Sequence, residues 1–439
     1  MVMHAQQTLI AEQRDWLVCH DCGALQAVVP VAKDLELVCS NCGKPMHIGV
    51  GGWLDKTTAL AMAALILFFA ANAFTFLTLK LAGSEQQITI LSGVAALAGN
   101  EQWILASLVL VTIFLLPLFE VLALLYLLVP YRINKHLPWQ IQIFRWLVRL
   151  QPWIMLDVFL LGVLVTTVKL GDSATVVVGP ALPVFFMLVC VLQMAYWFMN
   201  KNNLWSWLYS NNCFTYTYDE TLYDCDICKA MVGESIVREQ GHCPRCSARI
   251  YTRIPQSLQK TTALIVAAAI MYIPANMLDI MKYDELGTNY DSTIIMGVID
   301  LARHGLWLVA GIVFIASVVV PLAKLFMLSY LVWTVHRKEP QRARQRVKLY
   351  RLTELIGRWS MVDVFVVTLL TAAVQFGLIG EVQPGAALLP FAAVVVLTML
   401  AAEYFDPRLI WDSSEPDKTP PQMRKRTLQQ LQSQTNQSE

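Results

Sequence analysis

The chain has 439 residues, of which 56% are hydrophobic and only 15% are charged. Soluble globular domains carry about 25% charged residues. This composition, together with a mean hydropathy of +0.51, therefore excludes an ordinary soluble protein. The formal net charge of +1 gives no reason to expect a nucleic-acid partner. We expect a protein embedded in a membrane.

The N-terminal segment does not have the pattern of a secretory signal. Such a signal needs an apolar core, whereas Glu12, Arg14 and Asp15 interrupt this one. We predict an N-terminal tail at residues 1–14.

Two groups of four cysteines have the spacing of zinc ribbons. They are Cys19, Cys22, Cys39 and Cys42 in residues 15–50, and Cys225, Cys228, Cys243 and Cys246 in the linker at 205–256. Each Cys-x2-Cys turn directs two thiolates at one centre, and the metal stabilises a segment too short to fold by burial alone. We predict two structural zinc ions, one per ribbon, because four thiolates leave no open position for catalysis. Iron in a rubredoxin-like site is the alternative.

Eight apolar segments have roughly the length that a membrane-spanning helix needs. The first four are 57–79, 103–129, 153–170 and 178–199, and the last four are 261–281, 306–335, 359–378 and 385–404. They define two transmembrane modules, at 51–204 and 257–412. The segment 413–439 is rich in Ser, Gln, Pro, Lys and Glu, a composition that predicts a disordered cytoplasmic tail.

Basic residues are concentrated on one side of the predicted membrane. The loops 130–152 and 336–358 hold 12 Lys and Arg residues, whereas the loops on the opposite side hold three. The positive-inside rule then places both termini and both cysteine clusters in the cytoplasm.

The two modules are copies of one another. Residues 56–60, Lys-Thr-Thr-Ala-Leu, recur as residues 260–264, and Trp103 and Pro117 match Trp307 and Pro321 at the same offset of 204. After a slip of two residues, 153–159 aligns with 359–365. Both copies have the same orientation, so this is a parallel repeat.

Several polar residues of the second module lie in predicted membrane helices, where ionisable side chains are costly and mark functional sites. Lys324 and Asp363 lie in consecutive antiparallel helices and are candidates for an ion pair. Ser317 and Ser360 are predicted on the same helix faces as these two residues, and Thr398 completes the group. The alternative is a structural ion pair that holds the helices together, with the hydroxyls bonded to their own backbone.

The first module has two acids, Glu120 and Asp157, at the positions of Lys324 and Asp363. Two acids without a basic partner are not both comfortably ionised. Either one is protonated, or Asp157 reaches Arg145 or Arg149. We predict that the first module is mainly a scaffold and that the second carries the activity.

The chain resembles the paraquat-inducible protein A family. The resemblance rests on the two ribbons and on the segments Tyr272–Asn276, Ile315–Lys324, Gly357–Phe365 and Phe405–Asp412, and it covers residues 15–412. It implies an all-α, multi-pass inner-membrane protein of Gram-negative bacteria with two four-helix modules, each preceded by a cytoplasmic zinc ribbon. It also implies an MCE-domain partner that forms a hydrophobic tunnel across the periplasm, and it identifies Ser317, Lys324, Ser360, Asp363 and Thr398 as the transport cluster.

The function expected from this resemblance is transport of phospholipids between the inner and outer membranes, in support of outer-membrane integrity and without enzymatic catalysis. Two alternatives remain open. One is a scaffold that only anchors and assembles the MCE complex. The other is a membrane redox enzyme, which the absence of paired histidines in the predicted spans disfavours.

Overall fold

The computed structural model describes residues 52–412, except 82–83, 172–174, 210–221, 286–287, 304, 306, 339–341 and 374–380. Before residue 52 it describes only four short strands, which form two antiparallel hairpins. They are β1 (Trp16–Val18), β2 (Leu25–Ala27), β3 (Leu37–Val38) and β4 (Pro45–Met46). The predicted tails at 1–14 and 413–439 lie outside the described residues.

The first module is built around three long apolar helices. The helices of this half are α1 (Trp53–Ala73), α2 (Ile90–Gly99), α3 (Trp103–Arg132), α4 (Gln140–Leu150), α5 (Leu156–Gly171), α6 (Ala181–Phe198) and α7 (Lys201–Leu208). The helix α1 packs lengthwise against α6 and also against α3. A capping box begins α2, where Thr89 Oγ1 accepts from Ser92 N and Ser92 Oγ accepts from Thr89 N, which satisfies two terminal N–H groups.

The second module repeats this order. Between the modules lie β8 (Leu222–Asp224), β9 (Met231–Gly233) and α8 (Glu234–Glu239). The helices that follow are α9 (Ser257–Met277), α10 (Ile294–Arg303), α11 (307–336), α12 (Ala343–Trp359), α13 (Val362–Ala373), α14 (Leu388–Tyr404) and α15 (Leu409–Asp412). The helix α9 packs against α14 and α11, as α1 does against α6 and α3. The chain is therefore a polytopic membrane protein with two tandem modules.

Six stretches of the described residues are long and apolar enough to cross a membrane. They correspond to the first six predicted spans, and the third extends from Gln140 to Thr167 through a 3-10 turn at Gln151–Trp153. The seventh predicted span contains α13, with 12 described residues, and the eighth is α14, with 17. At 1.5 Å per residue, α14 is about 25 Å long, less than the roughly 30 Å of a bilayer core.

The two basic loops expected between spans contain amphipathic helices. The segment 336–358 was predicted as a loop, but most of it belongs to α12, and its counterpart in the first module is α4. One face of α12 is exposed and carries Arg344 and Lys348 followed by Leu352 and Leu355. Basic residues beside apolar ones on one face are typical of helices that lie along a membrane surface.

Each module also has a three-stranded antiparallel sheet on the side opposite these basic helices. Their strands are β5 (Leu77–Leu81), β6 (Ser84–Ile88) and β7 (Thr175–Val178), and β10 (Met281–Glu285), β11 (Thr288–Ser292) and β12 (Glu381–Pro384). The central strand is β5 in the first sheet and β10 in the second. A glycine follows the last strand of each, and a Cβ atom there would lie 2.1 Å from Thr75 O at Gly179 and 2.0 Å from Asp279 O at Gly385. Only glycine fits so close to the facing backbone.

A single turn of π-helix interrupts the second span of both modules. The turns are Val111–Leu115 in α3 and Ile315–Val319 in α11, and Pro117 and Pro321 follow them. Proline has no N–H to donate to the preceding turn, so the helix widens just before it. Such π-turns are frequent at functional sites, and Ser317 lies in the second one.

The modules join through α5 and α13, which are equivalent helices of the two copies. The rings of Phe159 and Phe365, which occupy equivalent positions, meet edge to face with centroids 5.7 Å apart. A Cβ atom on Gly162 would lie 3.2 Å from Phe365 Cβ, so the backbones are in close contact. The helix α13 also packs against α2, where Gly93 faces Thr368. Small residues of this kind allow helices to approach closely in a membrane.

Candidate functional site

Lys324 is buried within the second module. It is only 1% exposed, although it lies in the apolar helix α11. Its Nζ atom has no hydrogen-bond partner among the residues that the structure describes. A Cβ atom built on Gly357 of α12 would lie 4.0 Å from Lys324 Cε and 4.0 Å from Met399 Cγ of α14. The lysine stem therefore lies where α11, α12 and α14 meet.

The other predicted members of the cluster are arranged as follows. Ser317 is buried in the π-turn of α11, and Thr398 is buried in α14, where its Oγ1 donates to Val395 O at 2.9 Å. Ser360 is buried, and its Oγ has no partner within the described part of the chain. Only the backbone of Asp363 is described, so its predicted pairing with Lys324 lies outside what the structure describes.

One detail of the prediction is wrong. Ser360 was placed on the same helix face as Asp363, but α12 ends at Trp359 and α13 begins at Val362. Ser360 therefore lies in the turn between the two helices. A serine inside a helix commonly donates its hydroxyl to the backbone carbonyl four residues earlier. In the turn, the Ser360 hydroxyl does not have to make that bond.

In the first module, apolar residues replace the three hydroxyl-bearing residues of the cluster. By the repeat offsets, Ser317, Ser360 and Thr398 correspond to Ile113, Ile154 and Leu192, and all three of these residues are buried. Glu120 replaces Lys324 and is 3% exposed. The three buried hydroxyl groups and the buried lysine are therefore found at these positions in the second module alone.

Glu120 borders a cavity of about 60 Å³ that sequence reasoning missed, and Ile154 and Leu192 also line it. Its lining is Glu120, Gln151, Ile154, Leu156, Asp157, Val189, Leu192, Gln193 and Tyr196. Whether Asp157 is protonated or reaches Arg145 or Arg149 stays a prediction; Arg145 Nη1 lies 3.5 Å from Cys246 O and 3.4 Å from Ser247 O of the second ribbon. No signal in a single sequence places Tyr196 and Gln193 of α6 beside Glu120.

The four cysteines of the second ribbon form a candidate metal centre. Their sulfur atoms all lie within 4.8 Å of one another, and the side chains are buried. The two cysteine turns have the same backbone hydrogen bond. Cys225 N donates to Ala230 O at 2.9 Å, and Cys243 N donates to Ala248 O at 2.7 Å. Contact with the neighbouring thiol of Cys225 lowers the pKa of Cys243. A tetrahedral zinc site has Zn–S bonds of about 2.3 Å, so its sulfurs lie slightly less than ~4 Å apart, which this cluster fits.

The first ribbon is only outlined. Its four ligands, Cys19, Cys22, Cys39 and Cys42, lie outside the described residues, and the hairpins β1–β2 and β3–β4 are the parts that the structure shows.

Buried charges hold the second ribbon to the second module. The carboxylate of Asp406 is completely buried and accepts from Ile254 N at 3.1 Å, Arg408 N at 3.0 Å and Arg408 Nε at 3.0 Å. Arg408 Nη2 also lies 4.0 Å from Asp226 Oδ1, in the first cysteine turn. The segment 405–412, noted above only for its resemblance to the family, thus connects the ribbon to the transmembrane helices.

The comparisons with known proteins match almost the whole chain. The family model described as Paraquat-inducible protein A matches residues 54–209 and 258–415, one match per module. Intermembrane transport protein PqiA of Escherichia coli (strain K12) is 33% identical over 409 residues, covering 90% of this chain and 95% of the relative.

Two further relatives are similar over the same extent. Lipophilic envelope-spanning tunnel protein A of the same organism is 31% identical over 401 residues, 91% of this chain and 92% of that protein. A probable intermembrane transport protein of Haemophilus influenzae is 28% identical over 407 residues, 92% of this chain and 97% of the relative. No solved structure matches the chain.

These names describe transport rather than catalysis. The family model matches the two halves separately, as the internal repeat requires. The match covers most of the chain in two copies, and the first relative exceeds 30% identity over nine tenths of it. The chain belongs to the paraquat-inducible protein A family.

Proposed function

We propose that this protein is the inner-membrane subunit of a system that carries phospholipids between two membranes. In this proposal it delivers lipid to, or receives lipid from, an MCE-domain protein that spans the periplasm, and it thereby supports outer-membrane integrity. Both termini and both ribbons lie in the cytoplasm, and each ribbon holds one structural zinc ion. The protein has no catalytic residue.

The observation that carries the proposal is the buried Lys324. An ammonium group in the apolar interior of a membrane module is costly, and such residues are retained where they serve a transported substrate or ion. A lysine is a compact point charge suited to a phosphate, and phosphate is the group that phospholipids have in common. Ser317, Ser360 and Thr398 add buried hydroxyl groups to the same module, and Asp363 adds a carboxylate in α13.

The test uses cells that depend on this pathway for growth in the presence of detergent. We expect Lys324→Met and Asp363→Asn to abolish rescue, because they remove the charges without a large change in volume. Lys348→Met is the matched control, since Lys348 is exposed on α12, and it should rescue fully. Full rescue by both cluster variants would show that the cluster is structural.

Co-purification with the MCE-domain partner separates transport from scaffolding. If the protein transports lipid, Lys324→Met still binds the partner but loses function. If it is only a scaffold that anchors the MCE complex, any variant that retains the partner also retains function.

A further inference from the structure

The cavity beside Glu120 lies outside the cluster that carries the proposed function. It is lined by residues of α3, the turn at Gln151–Trp153, α5 and α6. A cavity of about 60 Å³ has room for a few water-sized groups. A phospholipid headgroup with its glycerol backbone is far larger. A small occupant suits it best.

The charges around the cavity are acidic. Glu120 is 97% buried, and its Oε2 atom has no hydrogen-bond partner among the described residues. The side chains of Asp157 on α5 and Tyr196 on α6 are close enough to Glu120 to act on it electrostatically. Two carboxylates repel a phosphate and attract a cation. Gln151, Gln193 and Tyr196 add neutral polar groups to the lining.

A basic side chain lies at the rim rather than in the cavity. Lys201 Nζ is 3.2 Å from Gln151 Oε1 and lies over the ring of Tyr196, 5.7 Å from its centroid. Burial lowers the pKa of Lys201, and the nearby Lys229 lowers it further. The lining itself includes no basic residue, and it includes none from α1 or α4, which pack against α3. The lining itself therefore contributes negative and neutral polar groups but no positive one.

We propose that the cavity bordered by Glu120, Asp157 and Tyr196 is a binding site for a small monovalent cation. Either a proton or a sodium ion provides the required chemistry, since each neutralises the Glu120 carboxylate and fits a space of this size. Carboxylate, amide and phenol oxygens are hard donors suited to such a cation. The first module is then an ion-binding unit, a role that neither a pure scaffold nor a lipid-binding site requires.

The experiment measures the thermal unfolding midpoint of the full-length protein in detergent. One series varies pH in choline chloride, and a second replaces choline with sodium at constant ionic strength. We expect the midpoint of the wild type to change along one of the series. Glu120→Gln resembles the neutralised carboxyl group. In this variant, the part of the midpoint change that depends on Glu120 should be lost.

Two further variants make the result specific. Glu354→Gln removes an exposed acid from α12 and should behave like the wild type in both series. Glu120→Asp keeps a carboxylate and should keep the dependence, so it tests the site even if the amide variant folds poorly. A change along the pH series alone identifies the proton, and a change with sodium identifies the alkali ion. Parallel curves for the wild type and Glu120→Gln in both series would refute the cation site, whether or not the protein transports lipid.

Discussion

At the level of single residues, the two modules differ most at one pair of equivalent positions. Position 120 of α3 is an acid and position 324 of α11 is a base, and both side chains are buried in apolar helices. Each has a charged-group atom without a hydrogen-bond partner in the described residues. A buried charge without compensation lowers stability, so we expect each of the two residues to serve a purpose other than folding. This supports separate roles for the modules.

The first prediction concerns the cost of Lys324. Replacing it with methionine removes a buried ammonium and keeps the volume, so we expect the free energy of unfolding to rise by about 1–3 kcal/mol. Lys348→Met on the exposed face of α12 should change it by less than about 0.5 kcal/mol. Denaturation in mixed detergent micelles measures both. Destabilisation by Lys324→Met would mean that the ammonium has a strong structural partner, such as Asp363.

A second prediction at this scale compares two acids of the segment 405–412. Asp406 is fully buried with three hydrogen bonds, whereas Asp412 pairs with Arg253 at the surface. Asp406→Ala should destabilise the protein by about 3–5 kcal/mol, because it leaves Arg408 buried without its main partner. Asp412→Ala should cost about 1 kcal/mol or less. The same micellar denaturation measures the two variants, and equal losses would contradict this assignment.

At the level of helices, small residues determine which helices pack against one another. The helix α13 packs on α5 and α2 of the other module, and the contacts run through Gly162 and Gly93. Because lipid is as apolar as the helix surfaces, close packing rather than hydrophobicity selects such partners. The contact between α2 and α13 is therefore sensitive to a single methyl group.

The third prediction tests this contact with two glycines of the same helix. A Cβ atom on Gly93 would lie 2.9 Å from Thr368 Cγ2, whereas a Cβ atom on Gly99 would have nothing within 4 Å. Gly93→Ala should therefore lower the unfolding free energy by about 1–3 kcal/mol through overpacking. Gly99→Ala should leave it unchanged or raise it slightly. Thermal unfolding in detergent distinguishes the two, and a neutral Gly93→Ala would show that α13 is free to shift.

At the level of the whole molecule, the second ribbon connects both modules. Arg145 of the first module contacts the second cysteine turn, and Arg408 of the second module contacts Asp226 in the first turn. A metal ion held by both turns would fix the distance between them. We therefore expect the ribbon to act as a brace between the modules, with a rigidity that depends on the metal.

The fourth prediction follows from this brace. Cys243→Ser should lower the zinc content by about one ion per chain, because three thiolates hold the metal weakly, and it should also lower the thermal midpoint of the whole protein. Cys190→Ser is the control, since Cys190 is an exposed free cysteine of α6. Elemental analysis and thermal unfolding give the two readouts. Loss of zinc with no change in the midpoint would show that the ribbon does not brace the modules.

Much of the architecture could be predicted from the sequence. Apolar length predicted eight spans, and six of them are long and apolar enough to cross a membrane in the described residues. The offset of 204 identified the repeat, because matching residues can be compared along one sequence. The amphipathic helix α12 was mistaken for a loop because its basic residues were counted by charge rather than by helical spacing. The packing of α13 against helices of the first module depends on contacts between segments that are far apart in the sequence. The cavity at Glu120 depends on such contacts as well. No pattern along one chain specifies which apolar helix faces which.

The contact between α5 and α13 has a further consequence for how the two halves can diverge. Phe159 meets its own counterpart, Phe365, as residues do across the two-fold axis of a symmetric dimer. In a true dimer, every substitution at such an interface would occur twice. Here the halves are one polypeptide, and equivalent positions have different neighbours. A Cβ atom on Gly93 would meet Thr368 of the other module, whereas a Cβ atom on its counterpart Gly297 would meet Ser292 of its own module. Because the halves are covalently linked copies, a substitution in one half leaves the other unchanged. This independence allows one half to have a lysine where the other has a glutamate.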